Sequence, residues 1–187
     1  ITPLMESEMV GEMTWVEDVR TWEDAGQRTW ARALSETLPE GLPELWVETD
    51  DLPALVRAFL DERYPDVRLR DIGRILGAQR MIKSALEITV MKQAGAVAGA
   101  MMAAAHDSLR IGAREYESAL AVIEAGTRKA AGFLTDHGWE RFASPMIHNL
   151  QILQSGKDTL MVHRRASVKA YERADPVYFC FCILAQF

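Results

Sequence analysis

The stretch Ala94 to Ala105, AGAVAGAMMAAA, constrains the fold more than any other part of the chain. A run this rich in alanine and methionine favours helix, and its apolar surface has to be covered by something. A bilayer span needs roughly 20 such residues. Lys92, Gln93, His106 and Asp107 close this run sooner, so a buried helix of a water-exposed protein is expected over 87–109. Gly95 and Gly99 lie four apart, where small residues let a second backbone approach, and the helix is expected to be packed on both sides.

On the N-terminal side the pattern is shorter. TWVEDVRTW (14–22) reads as extended or loop-like, and QRTWARALSETL (27–38) places Trp30, Ala33, Leu34 and Leu38 on one helical face. ELWVE and VRLRDI alternate as short strands. Between them DDLPALVRAFLDERY predicts a helix with Asp50 or Asp51 as N-cap, Pro53 in the first turn, and Leu55, Phe59 and Leu60 inward. Helices alternating with short strands indicate a small α/β layer. After the alanine-rich helix, a turn at Gly112 leads into a second helix with Leu120, Val122, Ile123 and Ala131 as apolar positions, ending near Gly132. RFASPMI, LQIL and PVYFCFCIL then read as strands, the last so continuously apolar that both its faces are expected to be covered. The fold class is α/β (α+β), with residues 1–78 and 79–187 as the two parts.

A chain of 187 residues, 49% apolar and 26% charged, has the composition of a globular protein. Its net charge of -6 is spread along the sequence without a basic run, which argues against nucleic acid as a partner. The expected partner is a small molecule or short peptide, with no membrane. Cys180 and Cys182 are too close for an ordinary disulfide, and no secretory signal opens the chain, so a cytoplasmic setting is expected. The sequence opens at Ile1 and closes in the apolar ILAQF, and it is expected to be a segment of something longer.

Phosphate-cradling glycine loops, His-Glu-x-x-His and Gly-x-Ser-x-Gly are absent from the sequence. Cys180 and Cys182 share a strand face but have no further metal ligands nearby, so they are read as core. Of the four histidines, His106 and His137 are read as structural or solvated. His148 and His163 stand beside strand and turn signals, where a neutral imidazole could serve as a general base. Arg164 and Arg165 could hold a substrate carboxylate bidentately, but adjacent arginines are more often one exposed and one paired.

Five spacings then occur in order. RMIKSALEITVMKQA (80–94) resembles the Arg-x-x-Lys-Ser-x-x-Glu-Ile signature of the pita-bread hydrolases, the creatinase, prolidase and aminopeptidase P superfamily. A helix start from Gly112 into YES follows, and then the Ser144-Pro145 pair. QSGKDTLMVHRRAS is similar to the superfamily's Ser-Gly-x-Asn/Asp-x-x-x-x-His turn, and YERADPVYF to its Glu-x-Gly-Asp-x-Val segment. The resemblance implies a partial N-terminal creatinase/prolidase-type α/β domain (1–78) followed by the first half of a pita-bread catalytic domain (79–187).

By that resemblance His163 falls on the active-site histidine and is the expected catalytic residue, with Arg164 a weaker candidate for substrate binding. Arg80, Lys83 and Glu87 match a signature that is structural in the superfamily. Metal-dependent members continue Gly-Asp-x-Val-x-x-Asp-x-Gly, and here Ala174 replaces the first glycine, Cys180 the metal-ligating aspartate and Cys182 the last glycine. A thiol is a poor substitute for a hard oxygen bridging two cations. The expectation is therefore a creatinase-like hydrolase of a C–N bond in a small guanidino or amide substrate, with no cofactor and no metal ligand in this chain. The alternatives are an Xaa-Pro peptidase, with two divalent metal ions in the full-length protein, and a non-catalytic member of the superfamily. The remaining site residues of the superfamily lie beyond the matched segment, so the 187-residue chain alone is expected to be inactive. A homodimer is the expected assembly.

Overall fold

The computed structural model describes residues 1–23, 29–138, 143–147 and 152–181, apart from the side chain of His137. The chain divides into two units, Ile1–Ile82 and Lys83–Phe187. The expected cut at 78/79 falls inside a helix that runs on to Met81, and the division comes just after it.

In the first unit, β1 (Thr2–Pro3) pairs in parallel with β2 (Thr21–Trp22), and α1 (Ser7–Met13) lies between them in sequence. After α2 (Thr29–Thr37), β3 (Glu44–Val47), α3 (Ala54–Arg63) and β4 (Arg68–Asp71) form a parallel crossover, with Glu44 opposite Arg68 and Val47 opposite Asp71. Ala31, Phe59, Leu60 and Tyr64 are its core, and Trp30, Leu34 and Leu38 pack onto it as the helical face predicts. Leu55 differs from expectation and is 62% exposed. Pro53 is itself the N-cap of α3, one position earlier than a first-turn proline, and Asp50 and Asp51 sit in the turn before it. Helix α4 (Gly73–Met81) follows β4, with the Asp71 carboxylate accepting from the Gly73 N–H at 3.1 Å.

The second unit is built on α5 (Ala85–Ser108) and α6 (Glu115–His137). Ser84 and Glu87 close a capping box at the start of α5, Ser84 N–H donating to Glu87 Oε2 at 2.7 Å and Glu87 N–H to Ser84 Oγ at 3.3 Å. Val97, Met101 and Ala105 of α5 meet Val122 and Ala130 of α6 in one core. Burying side chains the size of Val and Met contributes about 1.5–3 kcal/mol each.

The expectation that α5 is packed on both sides is not met. An added Cβ at Gly95 or Gly99 would meet no described atom within 4 Å, and Leu86, Met91 and Met102 are exposed. By length and composition α5 is long and apolar enough to cross a membrane. The close helix approach is made by Gly126 of α6, where an added Cβ would stand 2.7 Å from Met101 Sδ and 3.0 Å from Ile147 Cγ1. Helix α6 also runs past the expected stop at Gly132 and ends at Gly138, whose φ of 71° gives the left-handed turn of a helix terminus. Leu120 faces outward.

Strands β5 (Ile152–Ser155) and β6 (Val177–Cys180) are antiparallel, Ile152 opposite Cys180 and Ser155 opposite Val177. Strand β5 is buried throughout. Strand β6 is covered on one side only among the described residues: Phe179 packs on the helix core while Tyr178 is half exposed. Residues 143–147 are irregular where a strand was expected. Cys182 and His148 lie outside the described residues.

Candidate active site

Between β5 and β6 the chain makes one 3-10 turn (Gly156–Leu160), a second turn at 161–164, and then an extended return along the start of α6. The return is fixed by main-chain bonds: Glu115 N–H to Lys169 O at 3.0 Å, Tyr116 N–H to Ser167 O at 3.0 Å, and Tyr171 N–H to Ala113 O at 2.9 Å. The loop is thus tied to α6 before any side chain is considered.

A polar network then fills the space beneath it. The Glu115 carboxylate is fully buried and accepts from Ser155 Oγ (2.8 Å), Arg164 Nη1 (2.8 Å), Ser167 Oγ (2.7 Å) and the Ser167 N–H (2.9 Å). Burial pushes this carboxyl up, but the Arg164 guanidinium and the Ser167 and Ser155 donors outweigh it and hold the group below the usual 4.5. Its place in the first turn of α6 adds the favourable end of the helix dipole. Arg164 also donates through Nη2 to Asp158 Oδ2 and to Ser167 Oγ, both at 3.0 Å. The Glu115 carboxylate raises the Arg164 pKa further. A third pair closes the base of the loop: Lys169 Nζ lies 2.8 Å from Asp175 Oδ2 and 2.8 Å from Ser155 Oγ. Lys169, together with the Glu172 N–H, holds Asp175 below the ordinary carboxylate range.

His163 stands on the rim of this structure. The Arg164 N–H returns to Met161 O at 3.3 Å, closing a four-residue turn in which His163 is third, with φ 63°. That region is sparsely used by residues other than glycine, although His, Asn and Asp enter it more readily than most. The imidazole is exposed, and its ring has no hydrogen-bond partner among the described residues. Leu160 and Val162 beside it are 86% and 82% exposed. The buried Gln154 amide reaches the same turn from below, donating to Met161 O and, at 3.3 Å, to Arg164 O.

The structure therefore brings His163 and Arg164 into one loop but gives them different surroundings. The guanidinium that sequence reasoning offered to a substrate carboxylate is already engaged by Glu115 and Asp158. Sequence reasoning missed Glu115, Gln154, Ser167 and Lys169 as parts of the site. The available signal was two polar residues, Gln154 and Ser155, inside a strand otherwise apolar enough to be core.

The described residues do not fit a dinuclear metal centre. Asp175 is taken up by Lys169, and no three His, Cys, Asp or Glu side chains among the described residues converge on one point. Ala174, just before Asp175, has φ 66°.

No family profile matches the chain. Creatinase from Bacillus sp. (strain B-0618) is 28% identical over 160 residues, an alignment covering 83% of this chain and 37% of that enzyme. Among solved structures, the X-Pro aminopeptidase of Thermotoga maritima MSB8 superposes with a TM-score of 0.73 at 19% identity, over 96% of this chain and 45% of its own. The prolidase of Pyrococcus horikoshii OT3 gives 0.72 at 22% identity, over 96% and 46%. The chain thus spans half or less of the length of these relatives. It is a homologue of creatinase over most of its own length, and it has the fold of the N-terminal part of the prolidase-like structures.

Proposed function

We propose that this chain contributes the histidine-bearing half of a creatinase-like hydrolase, which cleaves a C–N bond in a small guanidino or amide substrate without metal. The observation that carries the reading is His163, an exposed imidazole held in a left-handed turn beside a largely buried ion-pair network centred on Glu115. A neutral imidazole takes a proton from water and, as the imidazolium so formed, hands it to the leaving nitrogen, and such help contributes roughly 10²–10⁴-fold. Strained non-glycine residues above a well-determined scaffold are common where chemistry is done. Arg164 serves as scaffold in this scheme, and the cationic end of the substrate is held by carboxylates further along the natural protein.

The test is hydrolysis of creatine-like and Xaa-Pro substrates by the natural protein that contains this chain, with and without a chelator. Chelator-insensitive release from the guanidino substrate, reduced at least about 10²-fold in His163→Ala, is the expected result. Activity only on Xaa-Pro peptides, abolished by the chelator, establishes the metal-dependent alternative. A His163→Ala enzyme within a few-fold of wild type removes the role of His163. A water-exposed, cytoplasmic homodimer is part of the same proposal, and light scattering checks the assembly.

A further inference from the structure

We propose that Gln154, together with Glu115 acting through Arg164, is a positioning device for the His163 ring. The inference rests on His163 as the reactive group, but its test reads geometry rather than turnover.

Among the described residues His163 is held through its own backbone, and none of them bonds its ring. A left-handed φ at a non-glycine residue relaxes unless both flanks of the turn are fixed. Both flanks are fixed here by one side chain: the Gln154 amide donates to Met161 O on the entering side and to Arg164 O on the leaving side. Gln154 is 1% exposed and lies on β5, whose main chain is paired with β6, so the clamp is mounted on a rigid strand. The leaving side has a second anchor, the Arg164 side chain locked between Glu115 Oε2 and Asp158 Oδ2. Asp158 belongs to the turn that enters the loop, so this guanidinium ties entry to exit across the histidine. A buried amide spending both N–H groups on the two ends of one turn specifies that turn's shape, which burial alone does not require.

The test is the His163 ring resonance of the 187-residue chain, assigned by its loss in His163→Asn. The His106 ring and the Met101 methyl group serve as controls remote from the loop. Gln154→Met keeps the buried volume and removes both donors, while Asp158→Asn weakens only the Arg164 anchor. The expected result is a displaced or split His163 resonance in the folded variants, with His106 and Met101 unmoved. A merely structural role would lower the melting temperature and disturb Met101 while leaving His163 in place, and that outcome overturns the proposal. If neither variant folds, the wild-type chain decides. Gln154 amide protons that exchange as slowly as core amides support the clamp, and exchange as fast as a solvated amide rejects it. Should the clamp hold while His163→Ala leaves turnover intact, the functional reading of His163 fails and the positioning does not.

Discussion

Glu115 Oε2 and Arg164 Nη1 lie 2.8 Å apart, the carboxylate wholly removed from solvent and the guanidinium largely so. This pair joins the first turn of α6 to the loop 49 residues later. Removing one member of such a pair leaves the other buried and uncompensated, which costs about 3–5 kcal/mol. In Glu115→Gln the Asp158 carboxylate still faces Arg164, so a loss near the lower end, about 3 kcal/mol, is expected. Denaturant unfolding of the variant against wild type measures it.

The same carboxylate sets an acid limit. Glu115 and Asp175 both sit below their ordinary values of 4.5 and 3.8. Lowered folded-state values mean that the folded chain holds the charged forms more firmly than the unfolded chain does. Their contribution is therefore complete above about pH 4.5 and disappears as pH falls through the lowered folded values. Thermal melts from pH 7 down to pH 3 should show this loss, and Glu115→Gln should flatten the profile by removing one of the two groups.

Gly126 and Gly99 make an opposed pair. An added methyl at Gly126 points into Met101 Sδ at 2.7 Å in a fully buried core, and overpacking there costs about 1–3 kcal/mol. The helix gains back up to about 1 kcal/mol from replacing glycine. Gly126→Ala should therefore be net destabilising by about 1 kcal/mol. Gly99→Ala meets nothing within 4 Å and should stabilise by about 0.5–1 kcal/mol. Equal signs for the two would show that α5 and α6 do not cross as described.

These glycines also mark how far the sequence could be read. Alanine-rich composition located α5 and its apolar positions located α6, and the ordered spacings from Arg80 to Val177 pointed to the relatives that the comparison with creatinase supports. Periodicity did not say which small residue lies at the crossing, because Gly95, Gly99 and Gly126 differ only in what the partner helix presents. Helix α4 escaped notice because Gly73 and Gly77 weaken its propensity. Glu115 looked like one more helix-start carboxylate, and its burial depends on Arg164 arriving from far along the chain. Long-range polar partners leave no local pattern, so the sequence suggested that one of Arg164 and Arg165 is paired without saying which or with what; Arg164 is the paired one.

Ala174 offers a repair. Its φ of 66° costs a residue with a Cβ roughly 1–2 kcal/mol, and glycine escapes this while losing about 0.5–1 kcal/mol of chain entropy on folding. Ala174→Gly should thus raise stability by about 0.5 kcal/mol, against the usual direction for that exchange. A melting temperature below wild type would show that the left-handed turn before Asp175 is not retained in solution.

His163 presents the same backbone problem with a different resolution. At φ 63° glycine would remove the steric cost, so His163→Gly should stabilise the chain by about 0.5–1 kcal/mol, whereas His163→Ala keeps the Cβ and should gain nothing. The imidazole is exposed and bonds no described residue, so neither change opens a cavity or strands a buried partner. Parallel melts of the two variants isolate the backbone contribution. A glycine variant more stable than wild type would mean that histidine is kept at this position against its stability cost. That is the pattern of a residue retained for what its ring does.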